Sequence, residues 1–286
     1  MKKTFLTLIA CATAGALACD EYGFTGFAPE NDMIIPMFAS NANVTEKEFN
    51  DTIDKFERVF TSHVAELGGQ LNIVRRWSDG TVNAYADRNG GTYNVTMFGG
   101  LARHELMSKD GFASVICHEL GHHIGGAPKI NSFFGNSWAS NEGQSDYFAT
   151  AKCMRRFLQD EDNVAFVAEL DVPEEVKLAC FGSFESIEEQ ALCQRTSMAG
   201  LDLARVLYSL NETGTYPEFH TPDPAVVSKT NDRHPQGQCR LDTYYQGSLC
   251  DISYEDLPDQ RDSEVSYCTR AKGDEVGVRP VCWFKP

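Results

Sequence analysis

Two histidines four residues apart, with a glutamate directly after the first, limit most strongly how this chain can fold. They lie in the run His118-Glu119-Leu120-Gly121-His122. Residues i and i+4 share one face of an α-helix, so both imidazoles can reach one metal ion if this run is helical. The run therefore predicts a helix with two metal ligands on one face. Glu119 lies next to that face, where it can contact a water bound to the metal.

The composition is that of an acidic globular protein. The chain has 286 residues, of which 42% are hydrophobic, and a formal net charge of −16. This length is enough for one large domain or two small ones. So negative a chain is poorly suited to bind nucleic acid or an anionic membrane, because like charges repel. We therefore expect neither of these partners.

The start of the chain has the pattern of a secretion signal. A basic start precedes an apolar run over residues 5–18, which ends in an Ala-x-Ala cleavage site at Ala18. The run is too short to span a bilayer comfortably. Residues 1–18 are therefore predicted to be a signal peptide. Cys19 follows in an imperfect lipobox, so the mature protein is expected to be secreted, periplasmic or a lipoprotein of a bacterial envelope, anchored through Cys19.

The ten cysteines indicate an oxidising compartment. Cleavage after Ala18 removes Cys11, and lipidation of Cys19 would leave eight, which suits four disulfides. If Cys19 stays free, nine remain and one has no partner. Eight cysteines allow roughly a hundred pairings, so the connectivity is not readable from the sequence. Proximity along the chain suggests three pairs, namely Cys180–Cys193, Cys239–Cys250 and Cys268–Cys282.

The first half of the chain predicts a helix followed by a sheet. A capping box at Thr45 and Glu48 opens a helix to about Leu67, where Gly68-Gly69 ends it. Three strand-like runs then follow, separated by turn sequences. We expect these runs to form an antiparallel meander, with strands at Gln70–Trp77, Thr81–Asp87 and Thr92–Phe98.

The metal-binding run lies on the next predicted helix. Asp110 is the expected N-cap of this helix, which extends to about Ile124. After this helix, further helices are expected over residues 141–158 and near 187–210. The end of the chain is expected to consist mostly of loops. These elements predict a single α+β domain over residues 19–286. Its catalytic core spans about 44–160, and a helical, Cys-rich and loop-rich region spans about 161–286.

A third metal ligand must come from outside the helix that carries His118 and His122. A catalytic zinc usually takes three protein ligands and a water. The metzincin pattern requires a histidine at position 128, which is Pro128 here. Glu142 and Asp146 are one turn apart on the helix predicted over residues 141–158. One of the two can bind the metal while the other accepts a hydrogen bond from a ligand histidine and fixes its tautomer.

These motifs resemble those of the gluzincin metallopeptidases. The spacing from His122 to Glu142 and the string Asn-Glu-x-x-Ser-Asp over residues 141–146 are similar to thermolysin-type enzymes. A second resemblance is to the HtpX and CAAX prenyl protease family, which combines His-Glu-x-x-His, Glu-x-x-x-Asp and His-Pro followed by four residues and Arg. The last of these matches His234 to Arg240. The resemblance implies a zincin-like fold, with Glu142 as the third ligand and Asp146 behind a ligand histidine.

The chain also departs from the HtpX-type pattern. Those proteins are usually embedded in a membrane, and this sequence has no second long apolar stretch. A Cys-bearing insertion separates Asp146 from His234, and Asp232-Arg233 replaces the usual Ser-Thr before His-Pro. The resemblance therefore implies a zinc-peptidase architecture more strongly than it implies any family substrate.

The resulting hypothesis is a zinc-dependent endopeptidase that acts on proteins or peptides. One catalytic Zn²⁺ would activate water, with Glu119 as general base. His234 would stabilise the oxyanion, and Arg240 would orient that loop or contact substrate. An extended substrate would add to the third strand. That strand comprises Thr92, Tyr93, Asn94, Val95, Thr96, Met97 and Phe98.

Two other functions remain open at this point. One is a zinc-bearing binding or chaperone-like protein with negligible turnover. The other is an interaction module stabilised by disulfides or by a structural zinc, which would have four protein ligands and no open position. His123 lies about 100° around the helix from His122, so we expect it to pack or cap rather than bind metal.

Overall fold

The computed structural model describes residues 26–39, 42–132 and 135–286. The predicted signal peptide, Cys11 and Cys19 lie outside these residues. Within the described part of the chain, no helix combines the length and the apolar character needed to cross a membrane.

Helix α1, Glu46–Glu66, begins at the predicted capping box. The Thr45 hydroxyl accepts a hydrogen bond from the backbone N–H of Glu48, and the Glu48 carboxylate accepts one from the backbone N–H of Thr45. An apolar stripe at helical spacing faces the core, because these side chains fall on one side of the helix. Its buried members are Phe49, Ile53, Phe56, Phe60 and Val64.

The sheet is mixed, so the prediction of an antiparallel meander is wrong. Its strands are β1, Gln70–Arg76, β2, Ala84–Asn89, and β3, Thr92–Phe98, in the spatial order β1-β3-β2. β2 and β3 form an antiparallel hairpin, whereas β1 and β3 run parallel. β3 is therefore the central strand, and β1 and β2 lie at the edges.

The segment between β1 and β2 explains this topology. Residues 77–83 do not make a tight turn; they run beside an earlier part of the chain. The Ile35 N–H donates to the Gly80 carbonyl, and Ile34 forms an antiparallel bridge with Thr81. The second strand consequently begins at Ala84 rather than Thr81. Because this connection is long, β2 does not pair with β1. β3 pairs with β1 instead.

Helix α3, Lys109–Ile124, carries the histidines and is buried along almost its whole length. Its N-cap is Ser108, whose hydroxyl accepts from the Gly111 N–H at 2.9 Å, so the prediction of Asp110 as the N-cap is wrong. Asp110 lies in the first turn and forms a buried ion pair with Arg195. A short helix, α2, Gly99–Ala102, separates β3 from α3.

The helix predicted over residues 141–158 is present, with a hairpin before it that was not predicted. The hairpin consists of β4, Lys129–Ser132, and β5, Gly135–Ser140. α4, Glu142–Phe148, starts from Asn141, whose side chain accepts from the Gln144 N–H. A π-helical segment, Ala149–Cys153, then leads into α5, Met154–Leu158.

The rest of the chain is more helical than predicted. It contains α6, Asn163–Ala168, α7, Glu174–Ser183, α8, Ile187–Asn211, and α9, Gly237–Leu249. α9 lies in the region expected to be loops, and it starts three residues after His234. The structure is thus α+β, as predicted, with α9 packed against α4 and α8.

Four disulfides are formed, and only one of the three suggested pairs is correct. The Cys180–Cys193 pair is confirmed, whereas Cys239–Cys250 and Cys268–Cys282 are wrong. α9 separates Cys239 from Cys250 by about 16 Å at 1.5 Å per residue, which is far beyond disulfide reach. The four bonds are Cys117–Cys153, Cys180–Cys193, Cys239–Cys282 and Cys250–Cys268.

The ion pair between α3 and α8 gives a test of this packing. Arg195 is buried and donates to both oxygens of Asp110, at 2.6 and 2.9 Å. Asp110→Ala is expected to lower the free energy of unfolding by about 3 kcal/mol, because it leaves part of a buried guanidinium unpaired. Urea unfolding measures this. Asp51→Ala is the control, since its pair with Lys47 is exposed and contributes little to stability. Equal effects of the two substitutions would contradict the prediction.

Candidate metal centre

The structure brings the three predicted ligands together. His118 and His122 project from one face of α3 towards Glu142, the first residue of α4. His118 Nε2 lies 3.3 Å from Glu142 Oε2, and His122 Nε2 lies 3.6 Å from Glu142 Oε1. The three ligand atoms lie within 4.8 Å of one another. All three side chains are buried.

Hydrogen bonds at Nδ1 aim both histidines at the same point. His118 Nδ1 donates to Asp146 Oδ1 at 2.7 Å. His122 Nδ1 lies 2.8 Å from the Ser140 carbonyl oxygen, to which it donates, and 3.1 Å from Ser145 Oγ. A proton on Nδ1 leaves the Nε2 lone pair free for a metal. In its neutral form, each ring would therefore present Nε2 to a metal.

The buried polar atoms at this point fit a divalent cation. Among the described residues, the Nε2 atoms of both histidines and all four carboxylate oxygens of Glu119 and Glu142 have no hydrogen-bond partner. Leaving such atoms unsatisfied costs a few kcal/mol each, roughly 1–3 on mutational scales. Two imidazoles and one carboxylate form a donor set typical of zinc. Tetrahedral bonds of about 2.1 Å place ligand atoms roughly 3.4 Å apart, similar to the observed separations.

The electrostatics of the cluster follow from burial and from neighbouring charges. Burial opposes ionisation of Glu142, but the adjacent His234, His122 and His118 outweigh it and lower the pKa of that carboxyl. Burial also opposes a charged His118, yet the Asp146 and Glu142 carboxylates raise its pKa to about 9. Burial dominates at His122 and lowers its pKa to about 4. The centre thus concentrates negative charge on Glu142, where a cation would bind.

Glu119 is buried beside the cluster and keeps both oxygens unpaired among the described residues. Burial raises the pKa of its carboxyl to about 8, and the nearby Glu142 adds to this, although His118 acts in the opposite direction. An unpaired buried carboxylate is costly unless something else occupies its surroundings. Its carboxyl therefore lies close enough to His118 and Glu142 to interact with their charges.

A buried ion pair lies behind His118. Asp146 accepts hydrogen bonds from Arg240 Nε at 2.7 Å, from Arg240 Nη2 at 2.6 Å and from the Tyr244 hydroxyl. For Arg240, a role in orienting the His234 loop or contacting substrate stays a prediction, and the structure adds a further role. Its guanidinium is buried and holds Asp146, which in turn holds His118. The sequence did not indicate a role for Tyr244, because its spacing of four residues from Arg240 is informative only once both are known to lie on α9.

His234 also reaches the centre. Its Nε2 lies 3.3 Å from Glu142 Oε2 and 2.6 Å from the Gly26 carbonyl oxygen, to which an Nε2–H donates. Burial lowers the pKa of this ring, although Glu142 acts in the opposite direction. His123 points elsewhere, as expected. Its ring stacks between Tyr93 and Trp138, 4.8 Å from each, and it contacts the Asn94 carbonyl oxygen.

The third strand does not offer an edge to a substrate. β3 is hydrogen-bonded to β1 on one side and to β2 on the other, because it is central in the sheet. The prediction that Thr92–Phe98 binds an extended peptide by strand addition is therefore wrong. In the described sheet, the outer edges belong to β1 and β2. The start of β2 is linked to the centre through Phe27, because the Ala84 carbonyl accepts from the N–H of Phe27 and the Phe27 ring contacts His118.

Comparisons with known proteins add no relative. A scan against protein-family models, a search of curated proteins and a search of solved structures each returned no match.

The Tyr244 hydroxyl provides a test of the hydrogen-bond chain behind the ligands. Tyr244→Phe removes a donor to Asp146, so the zinc affinity should fall by about tenfold. Competition with a chromogenic chelator measures this. Tyr245→Phe is the matched control, because its exposed hydroxyl donates to the Glu175 carbonyl away from the cluster. If both variants bind zinc as tightly as the wild type, the hydroxyl does not support the ligand.

Proposed function

We propose that the protein is a zinc-dependent endopeptidase. The observation that carries this is the convergence of three buried ligand atoms beside Glu119, a carboxylate that has no hydrogen-bond partner among the described residues. A structural zinc site would need a fourth protein ligand. His234 Nε2, which lies 3.3 Å from Glu142 Oε2, is engaged with the Gly26 carbonyl oxygen. Three ligands and a neighbouring base suit hydrolysis better than structural support.

The chain's own residues divide the chemistry among them. His118, His122 and Glu142 would hold the zinc, which when bound lowers the pKa of a coordinated water and polarises a carbonyl. Glu119 would take a proton from the attacking water and pass it to the leaving amine of the cleaved peptide bond. The Nε2–H of His234 would donate to the oxygen on which negative charge develops.

The disulfides suggest where this activity takes place. Four disulfides are typical of an oxidising compartment outside the cytoplasm. We therefore propose that the enzyme acts on a protein or peptide in the envelope or outside the cell. The signal peptide over residues 1–18 and the lipid anchor at Cys19 remain predictions.

Replacement of the general base tests the mechanism. Glu119→Gln keeps the shape of the side chain but removes its basicity, so casein hydrolysis should fall by about 100-fold or more. Zinc content, measured by mass spectrometry, should stay at one ion per chain. Glu66→Gln, an exposed position on α1, serves as control. A Glu119→Gln protein that cleaves casein as fast as the wild type would refute the proposed mechanism.

Replacement of His234 separates an oxyanion donor from a metal ligand. His234→Ala should reduce kcat by about 100-fold with little change in KM, because the donor acts mainly in the transition state. Zinc should be retained. His220→Ala, at an exposed histidine, should leave both constants unchanged. Loss of zinc from His234→Ala would instead indicate a closed site with four protein ligands.

Burial of the metal centre favours one alternative function, that of a zinc-bearing protein with negligible turnover. The side chains of His118, His122 and Glu142 are almost fully inaccessible in this conformation. Such closure also suits a zinc-bearing binding or chaperone-like protein with negligible turnover. Full cellular function of the Glu119→Gln variant would favour this alternative over the peptidase.

A further inference from the structure

A short N-terminal segment, Gly26–Ala28, covers the metal centre. The Gly26 carbonyl oxygen lies 2.6 Å from His234 Nε2. The Phe27 ring packs edge-on against His118, with 5.4 Å between ring centroids, and its carbonyl accepts from Arg240 Nη1 at 2.7 Å. Phe27 is fully buried. The segment therefore packs directly on the residues of the metal centre.

The backbone of the segment is bound as a peptide ligand would be. The Phe27 N–H donates to the Ala84 carbonyl, at the start of edge strand β2, at 3.0 Å. The Asn83 side chain contacts both main-chain groups of Ala28, accepting from its N–H at 2.9 Å and donating to its carbonyl at 3.1 Å. These contacts recognise main chain rather than side chains, which is the basis of binding to a strand edge.

We propose that Gly26–Ala28 is a resident peptide ligand in the peptide-binding subsite of this centre. A substrate peptide displaces it and is then held by the same groups, His234 Nε2, the Ala84 carbonyl and the Asn83 amide. The inference rests on the proposed peptidase function and adds to it. Because substrate competes with a segment of the same chain, the intact protein is latent, and displacement of the segment controls its activity.

Gly26 provides a specific way to dislodge the segment. Its φ is +84°, and a Cβ there would lie 2.0 Å from the Ala84 carbonyl oxygen, which is rigid main chain. Alanine would thus combine a left-handed backbone with a clash against the subsite. Gly68 is the matched control. Its φ is +81°, but a Cβ there would have nothing within 4 Å, so Gly68→Ala introduces the strain without the clash.

The first measurement is the binding of a peptide probe. The zinc-loaded protein, as secreted, is titrated calorimetrically with an N-capped Gly-Leu hydroxamate. Gly26→Ala should bind the probe at least about tenfold more tightly than the wild type, a change of 1.4 kcal/mol, because the competing segment is weakened. Gly68→Ala should bind it as the wild type does. Equal affinities for a folded Gly26→Ala and the wild type would overturn the proposal.

The second measurement uses the wild type and so does not depend on whether the variant folds. Saturation with the hydroxamate should accelerate hydrogen exchange at the amides of Phe27 and Ala28 by about tenfold or more. The amide of Ile35, bonded to the Gly80 carbonyl, should keep its protection. Bound probe with unchanged exchange at Phe27 would overturn the proposal.

Neither measurement requires turnover, which separates this inference from the proposed function. A protein that binds zinc and the hydroxamate, releases the segment and cleaves no peptide would contradict the peptidase and support the resident ligand. A protein that takes up no zinc would contradict both.

Discussion

The buried ion pair between Asp146 and Arg240 is the interaction on which the rest of the site depends. It joins α4 to α9, and through Asp146 it reaches His118 on α3. Neither charge can be buried alone without a penalty of several kcal/mol, so the loss of either partner would destabilise the packing of the three helices. The same geometry fixes the tautomer of His118. Packing and ligand orientation are therefore consequences of one contact.

The C-terminal region completes this arrangement. Trp283 packs directly on Gly143, where a Cβ would lie 2.2 Å from the indole, and Arg279 Nε donates to Gln144 at 2.7 Å. The Cys239–Cys282 disulfide ties this segment to α9, next to Arg240. The disulfide-rich end of the chain thus contacts the first turn of α4, which carries Glu142. It supports the centre rather than forming a separate module.

Full burial strengthens the electrostatic interactions within the metal centre. It also makes the ligand atoms hard to reach. Removing water strengthens the interaction between Glu142 and the histidines, and burial raises the pKa of Glu119 to about 8. The same burial leaves the ligand atoms inaccessible while Phe27 stays in place. The proposed resident segment, Gly26–Ala28, accounts for this burial and for these interactions. It is hydrogen-bonded to His234 and to Ala84 at the start of β2 until another peptide takes its place.

Features that depend on neighbours along the chain can be predicted from the sequence alone. The spacing of His118 and His122, the turn between Glu142 and Asp146, and the cap of α1 all follow from helix geometry over three or four residues. Tertiary structure decided the rest. The parallel pairing of β1 with β3, the disulfide partners of Cys239 and Cys250, and the place of Arg240 behind His118 arise from distant contacts. Asp146 and Arg240 are 94 residues apart, and Gly26 and His234 are 208 apart. No local periodicity records such pairs, because only burial of the whole core brings them together.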